Sequence, residues 1–182
     1  SSVAVPEATP NVRTPTLDLD CVYGLGPEAH PYLFHGNGVS AGIKLLTGAD
    51  GTAATSINSG GTRNPQPPEF AELDLSRSAD GTAIIGDPKN DENRVLSQFQ
   101  LSIIRFHNNV VDTLKNDPEN QLEGKELFEH ARELVTWHYQ WVVINDFLVK
   151  LCGAAVVNDI LGNGRRFYCA NENESYIPIE FS

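Results

Sequence analysis

The sequence predicts a mainly α chain with a loop-rich first half and two long helices. Apolar residues recur at helical spacing after residue 94 and again after residue 125, whereas residues 25 to 82 are rich in Gly, Pro, Asn and Thr. The first pattern is that of helices with one buried face, the second that of turns and short strands. At 182 residues and 40% hydrophobic content, the chain is long enough to bury one core. A single domain-like unit is therefore expected, irregular over residues 1–82 and helical over residues 83–182.

The elements follow in order. Residues 1 to 13 show no periodicity and read as an extended arm. Polar and apolar residues then alternate in Thr14-Pro15-Thr16-Leu17-Asp18-Leu19-Asp20, ending in Cys21-Val22-Tyr23-Gly24. Short apolar runs such as Ile43-Lys44-Leu45-Leu46 are the only strand candidates in the next sixty or so residues. So long a stretch of loop is unusual in a compact domain, and it is expected to wrap over a core supplied partly by sequence outside this chain.

A turn follows at Ile85-Gly86-Asp87-Pro88-Lys89-Asn90-Asp91-Glu92-Asn93. Asn90 or Asp91 can cap a helix, which places Glu92 in its first turn. Leu96, Phe99, Ile103, Phe106, Val110 and Leu114 recur at steps of three and four and predict that helix's inward face. Asp117-Pro118 ends it. A second helix is expected from about Lys125 to Leu151, with Leu127, Ala131, Leu134, Val135, His138, Val142 and Leu148 inward and Gly153 as its stop. Val156 to Leu161 predicts a short third helix before Gly162-Asn163-Gly164. The tail from Tyr176 to Ser182 reads as the first turn of another.

Composition excludes several functions. Net charge is −11, from 24 acidic and 13 basic residues, and no Lys/Arg run offsets it, so nucleic-acid phosphates and anionic membrane surfaces are repelled. No run approaches the ~18 apolar residues of a membrane span. The chain opens Ser-Ser-Val-Ala-Val-Pro, without a basic-plus-apolar leader, and contains no Met; it is expected to be a piece of something longer. Cys21, Cys152 and Cys169 fit neither a dense disulfide scaffold nor a paired zinc motif. Cys152 is expected to be a buried thiol, with a Cys152–Cys169 bridge as the alternative. Asn173-Glu174-Ser175 is a formal glycosylation sequon.

Two places carry chemistry. Oxygen-bearing side chains at 14, 16, 18 and 20 suit the six-to-eight oxygen shell of calcium, or else an edge strand with solvated acids. Lys89 and Glu92 set a cation beside a carboxylate at a helix start; each also fits an ordinary turn lysine or a residue favourable to the helix dipole. His107, beside the apolar stripe, and His138, between Trp137 and Tyr139, are expected to be packed core histidines. No His pair has metal spacing, and neither a Ser/His/Asp order nor a phosphate-binding glycine loop is legible.

Taken together, these segments resemble the animal-type heme peroxidases, the superfamily that includes cyclooxygenases and fatty-acid dioxygenases, in its bacterial branch. Thr14 to Gly24 looks like that family's calcium loop and "VYG" turn. Gly86 to Asn93 looks like its distal motif GDxRxxE. Arg105-Phe106-His107-Asn108 matches the helix that follows, and Ala131-Arg132-Glu133-Leu134-Val135 with Asn145-Asp146-Phe147-Leu148 matches the next. The resemblance covers nearly the whole chain in order.

The resemblance implies a partial heme-peroxidase domain that binds heme b and calcium. Its reaction would reduce hydrogen peroxide while oxidising small donors such as phenols, halides or Mn(II), in an extracellular or periplasmic setting. Thr14, Thr16 (through its carbonyl), Asp18 and Asp20 would be the calcium ligands. Glu92 would be the carboxylate at the heme periphery that forms an ester in mammalian members, and Asn93 stands where some members have a heme-linking Met. Lys89 stands where the family has its catalytic Arg. The family's distal and proximal His would lie upstream and downstream of this chain, so the chain is expected to act only with the remainder of its own domain. A fatty-acid dioxygenase of the same superfamily, and a non-catalytic calcium-stabilised interaction domain, are the alternatives.

Overall fold

The computed structural model describes residues 16–50, 55–57, 63–65, 73–119 and 121–167. The expected N-terminal arm, Thr14, the sequon, Cys169 and the tail from Tyr176 lie outside the described residues. The chain divides into two units, one formed by Leu19–Thr136 and the other by Ser1–Asp18 with Trp137–Ser182. As expected, it is mainly helical.

The unit Leu19–Thr136 opens with Leu19 in the left-handed region (φ 59), the one non-glycine residue there among the described residues. Helix α1, Asp20–Tyr23, follows at once. The expected alternation over residues 14–20 therefore yields no strand where it is described: residues 16–18 form a bend and Asp20 already begins a helix. Beyond α1 the chain runs through single 3-10 turns at Pro31–Leu33, Gly38–Ser40 and Gly48–Asp50. Strands β1, Thr55–Ile57, and β2, Arg63–Pro65, pair antiparallel with Thr55 opposite Pro65. Among the described residues this is the loop-rich first half the Gly, Pro and Asn content calls for.

A 3-10 turn at Pro88–Asp91 leads into helix α2, Arg94–Asn116. Its start differs from expectation. The Asn93 side-chain oxygen accepts from the backbone N–H of Val95 and Leu96, both at 3.0 Å, which satisfies donors that a helix start otherwise leaves open. Asn93, not Asn90 or Asp91, is thus the cap, and Glu92 lies before the helix, as the residue closing the 3-10 turn. At the other end, Asp117 caps the helix before Pro118, as expected.

The inward face of α2 also differs from the apolar count. Ser97, Gln100, Leu101, Ile104, His107, Val111 and Leu114 are buried. Of the expected stripe only Leu114 is among them; Leu96 is 40% and Phe99 53% exposed, while Ile103, Phe106 and Val110 are half-buried. The real face is rotated by about one residue because three of its members are polar and hydrogen-bonded, a type that a hydrophobic count places outside.

Helix α3 spans Gly124–Val142, and in this unit it buries Leu127, Phe128, Ala131 and Val135. Phe128 sits edge-on to Phe34, Tyr23 and His107, with ring centroids 5.4, 6.1 and 5.9 Å apart. Edge-to-face rings at such distances add attraction beyond their buried area. With Leu33, Leu45, Leu75, Leu101 and Ile104 they form the core of the unit.

In the other unit, α3 passes into a π-helical turn at Val143–Phe147, then α4, Leu148–Cys152, and α5, Ala154–Asn163. Gly153 (φ 86) stops α4 and Gly164 (φ 79) stops α5, positions where only glycine is unstrained. The third helix thus exists, starting two residues earlier than expected. Burial on α3 does not continue past Val135 in the way the periodicity suggests. His138 and Val142 are exposed, and Leu134 and Leu148 are half-buried. Cys152 is exposed rather than buried. The wide turn at Val143–Phe147 breaks the 3.6-residue period, so Leu148 no longer lies on the face counted from the residues before the turn. No helix among the described residues is long and apolar enough to cross a membrane.

Candidate functional site

Lys89 and Glu92 stand at the two sides of one short turn, and both are exposed. The turn is stiff for local reasons. Asp87 Oδ1 accepts from Lys89 N at 3.0 Å, Pro88 presets the first helical φ, and Asn90 N donates to Asp87 O at 3.0 Å. The residue before it, Gly86, lies so close to α1 that a Cβ there would come within 2.5 Å of the Cys21 carbonyl oxygen. The two segments singled out in the sequence, Asp20 to Gly24 and Gly86 to Asn93, are thus in backbone contact. Asn90 Nδ2 donates to Gln100 Oε1 at 2.9 Å, and Gln100 Nε2 donates to Cys21 O at 3.2 Å. That buried glutamine on α2 therefore ties the turn to α1.

A second tether went unrecognised in the sequence. Arg77 forms a bidentate pair with Asp91, Nη1 to Oδ2 at 2.7 Å and Nη2 to Oδ1 at 2.8 Å. It also donates to both oxygens of Asp74, at 2.8 and 3.0 Å, and to Gly81 O at 3.0 Å. Burial opposes the charged form of Asp74, but hydrogen bonds from Arg77 and from the Leu75 N–H outweigh it, and its pKa lies below the ordinary value. The signal was faint: an Arg among turn residues, with partners three residues before and fourteen after it.

Behind the turn, the Arg-Phe-His-Asn segment of α2 holds the loop over residues 43–45. His107 is fully buried and uses both ring nitrogens: Nε2 lies 2.9 Å from Ile43 O and Nδ1 3.1 Å from the Tyr23 hydroxyl. A carbonyl only accepts, so Nε2 carries the proton and Tyr23 donates to Nδ1. Burial, helped by nearby Lys44 and opposed by the bond to Ile43, lowers the His107 pKa to about 4; burial likewise raises that of Tyr23. Asn108 reads the backbone of Leu45 in both directions, accepting from its N–H at 2.9 Å and donating to its carbonyl at 2.8 Å. With both nitrogens engaged, His107 has none left for a metal. It is the packed core histidine the sequence suggests, whereas His138 is exposed.

For the proposed cation ligands, Thr16 Oγ1 donates to Asp18 Oδ2 at 2.9 Å, and Asp20 opens α1. Asp18 belongs to one unit and Asp20 to the other. Among the described residues no group of three His, Cys, Asp or Glu side chains could hold a metal.

Residues 2–179 match the family described as animal haem peroxidase. The chain belongs to this family. It is also 27% identical, over 146 residues, to Dual oxidase 1 of Caenorhabditis elegans, a match covering 80% of this chain and 9% of that protein. The chain therefore spans a small part of the length of that curated relative. No solved structure matches the chain significantly.

Members of this family bind heme, a flat apolar ring with propionate carboxylates along one edge, and an exposed apolar stripe beside an exposed cation is chemistry that suits such a ring. Leu96 and Phe99 are exposed apolar residues on α2, and with half-buried Ile103 they form a stripe that begins one turn beyond Glu92. A cation and a carboxylate, Lys89 and Glu92, precede it. The stripe missing from the core is thus an apolar surface next to charged groups.

Proposed function

We propose that this chain supplies the heme-edge turn and the calcium loop of a bacterial heme-dependent peroxidase, which reduces hydrogen peroxide while oxidising small donors such as phenols, halides or Mn(II). The observation that carries this is the exposed Lys89 and Glu92 pair on a turn clamped to α1 and α2, in a chain matching the peroxidase family over residues 2–179. Heme b, when bound, supplies the redox chemistry. Glu92 would lie at the periphery of the ring, as a carboxylate able to form an ester. Asn93 has no sulfur, so the link that some members make through a Met at this position cannot form here; its side chain caps α2 instead.

Lys89 supplies positive charge where negative charge develops as the O–O bond of peroxide breaks. An ammonium is a compact point charge without the planar fork of Arg, so its position in the reaction is less well fixed than the family's Arg. The expected cost is ~2–4 kcal/mol, or ~10²–10³ in rate. Thr14, the Thr16 carbonyl, Asp18 and Asp20 offer hard oxygen donors of the kind calcium prefers. An extracellular or periplasmic setting, where calcium is abundant, belongs to the same proposal.

The test uses the full-length protein. It should show a Soret band and oxidise a phenol in a peroxide-dependent way, and Lys89→Arg should raise kcat by ~10²–10³. The presence of Lys89 itself favours a second reading, a calcium-stabilised interaction domain without catalysis. In that case Lys89→Arg gains nothing. Oxygen uptake with a polyunsaturated fatty acid, without peroxide turnover, would point instead to a dioxygenase.

A further inference from the structure

We propose that Arg77 is a positioning residue for this site: its guanidinium, gripping Asp91, holds the turn that presents Lys89 and Glu92. The proposal rests on the reading of that turn as the heme edge. Arg has five N–H groups, and here each has an acceptor. Nε and one Nη2 proton go to Asp74, the other Nη2 proton and one Nη1 proton go to Asp91, and the last goes to Gly81 O. The side chain is only 17% exposed, so water competes weakly for these bonds.

Asp74 and Gly81 fix the guanidinium within its own chain reversal, and Asp91, fourteen residues on, belongs to the turn it clamps. Asp74 is fixed by accepting from the Leu75 N–H at 2.8 Å, and its own carbonyl accepts from Gly48 N at 2.9 Å. Gly81 lies in the tight turn closed by Ser78 N to Thr82 O at 2.9 Å, flanked by the Arg77–Ala83 bridge. Asp91 is the last residue of the Pro88–Asp91 turn, two residues after Lys89 and one before Glu92. The bidentate bond thus fixes the direction of the Asp91 carboxylate as well as its distance, and through Asp91 the backbone on either side. Saturated in this way, Arg77 has no donor left to meet peroxide, so it acts through the turn and not on the reacting atoms.

A lysine cannot replace the fork, which gives the test its sharpest variant. Arg77→Lys keeps the charge, and Asp91→Asn leaves the Arg77–Asp74 pair in place. Both are made in the full-length protein. Without heme, amide exchange at Lys89, Asn90 and Glu92 should rise about 10- to 100-fold, while Ile104 and His107 on α2 keep their protection. With heme, kcat should fall about 10- to 100-fold at unchanged donor KM, and the lysine should not rescue it. Exchange that rises equally along α2, or kcat and turn amides that both stay at wild-type values, would overturn the proposal. A wild-type protein with neither Soret band nor peroxide turnover would overturn the heme reading, and the exchange result would then still decide whether the clamp exists.

Discussion

His107 makes the stability of the unit Leu19–Thr136 depend on mild acid. In the folded protein its pKa is about 4, against 6.5 for the free side chain. Between these values the unfolded chain binds a proton that the folded chain refuses, so stability rises with pH across the window. The contribution is fully present above pH ~6.5 and is lost as pH falls toward ~4. A shift of this size corresponds to ~3 kcal/mol in all, of which about 2.5 kcal/mol is lost between pH 7 and pH 4.5. Acidic residues add slopes of their own, so the comparison is between the protein and His107→Gln. Glutamine keeps a donor for Ile43 and an acceptor for Tyr23 but does not titrate. Denaturant unfolding at pH 7 and pH 4.5 should show wild type losing about 2.5 kcal/mol more than the variant over that interval. Equal losses, or an imidazole NMR titration near 6.5 in the folded protein, would refute the reasoning.

Two further outcomes follow from packing. Gly86→Ala drives a methyl group against the Cys21 carbonyl and should cost about 1–3 kcal/mol, read as a lower denaturation midpoint at unchanged slope. On α2, Ile104→Ala should cost about 2–5 kcal/mol. Phe99→Ala, on the exposed side, should stay within ~0.5 kcal/mol; the reverse order would show that the helix faces the other way.

The sequence made the helices legible because their boundaries are written in single residues. Asp117-Pro118 and Gly153 stop helices for reasons that hold in any surroundings. The face of α2 was not legible in that way. Gln100 and His107 are buried only because Asn90, the Cys21 carbonyl, Tyr23 and Ile43 stand ready to bond them, and all of these but Asn90 come from distant parts of the chain. Phe99 and Leu96, which a count of apolar residues sends inward, lie on the surface beside the charged turn. The same limit applies to the site. Resemblance to a motif located Lys89 and Glu92, but the Arg77 clamp is a product of chain reversal at Ser78–Thr82, and no periodic pattern encodes it. Asn93 shows the local version: one amide oxygen taking two backbone donors shifted the start of α2 past Glu92.

The bonds of His107 also bear on how this unit folds. The Tyr23 contact closes a loop of 84 residues and the Ile43 contact one of 64. Bringing the ends of such long loops together costs entropy before either contact repays it. Helix α2 can form early from local bonds, but its histidine stays solvated and titratable until α1 and the 43–45 loop close over it. A proton taken up by that imidazole below its free pKa should therefore slow the closing step, and acid should act on this unit as a kinetic brake on folding as well as a drain on its stability.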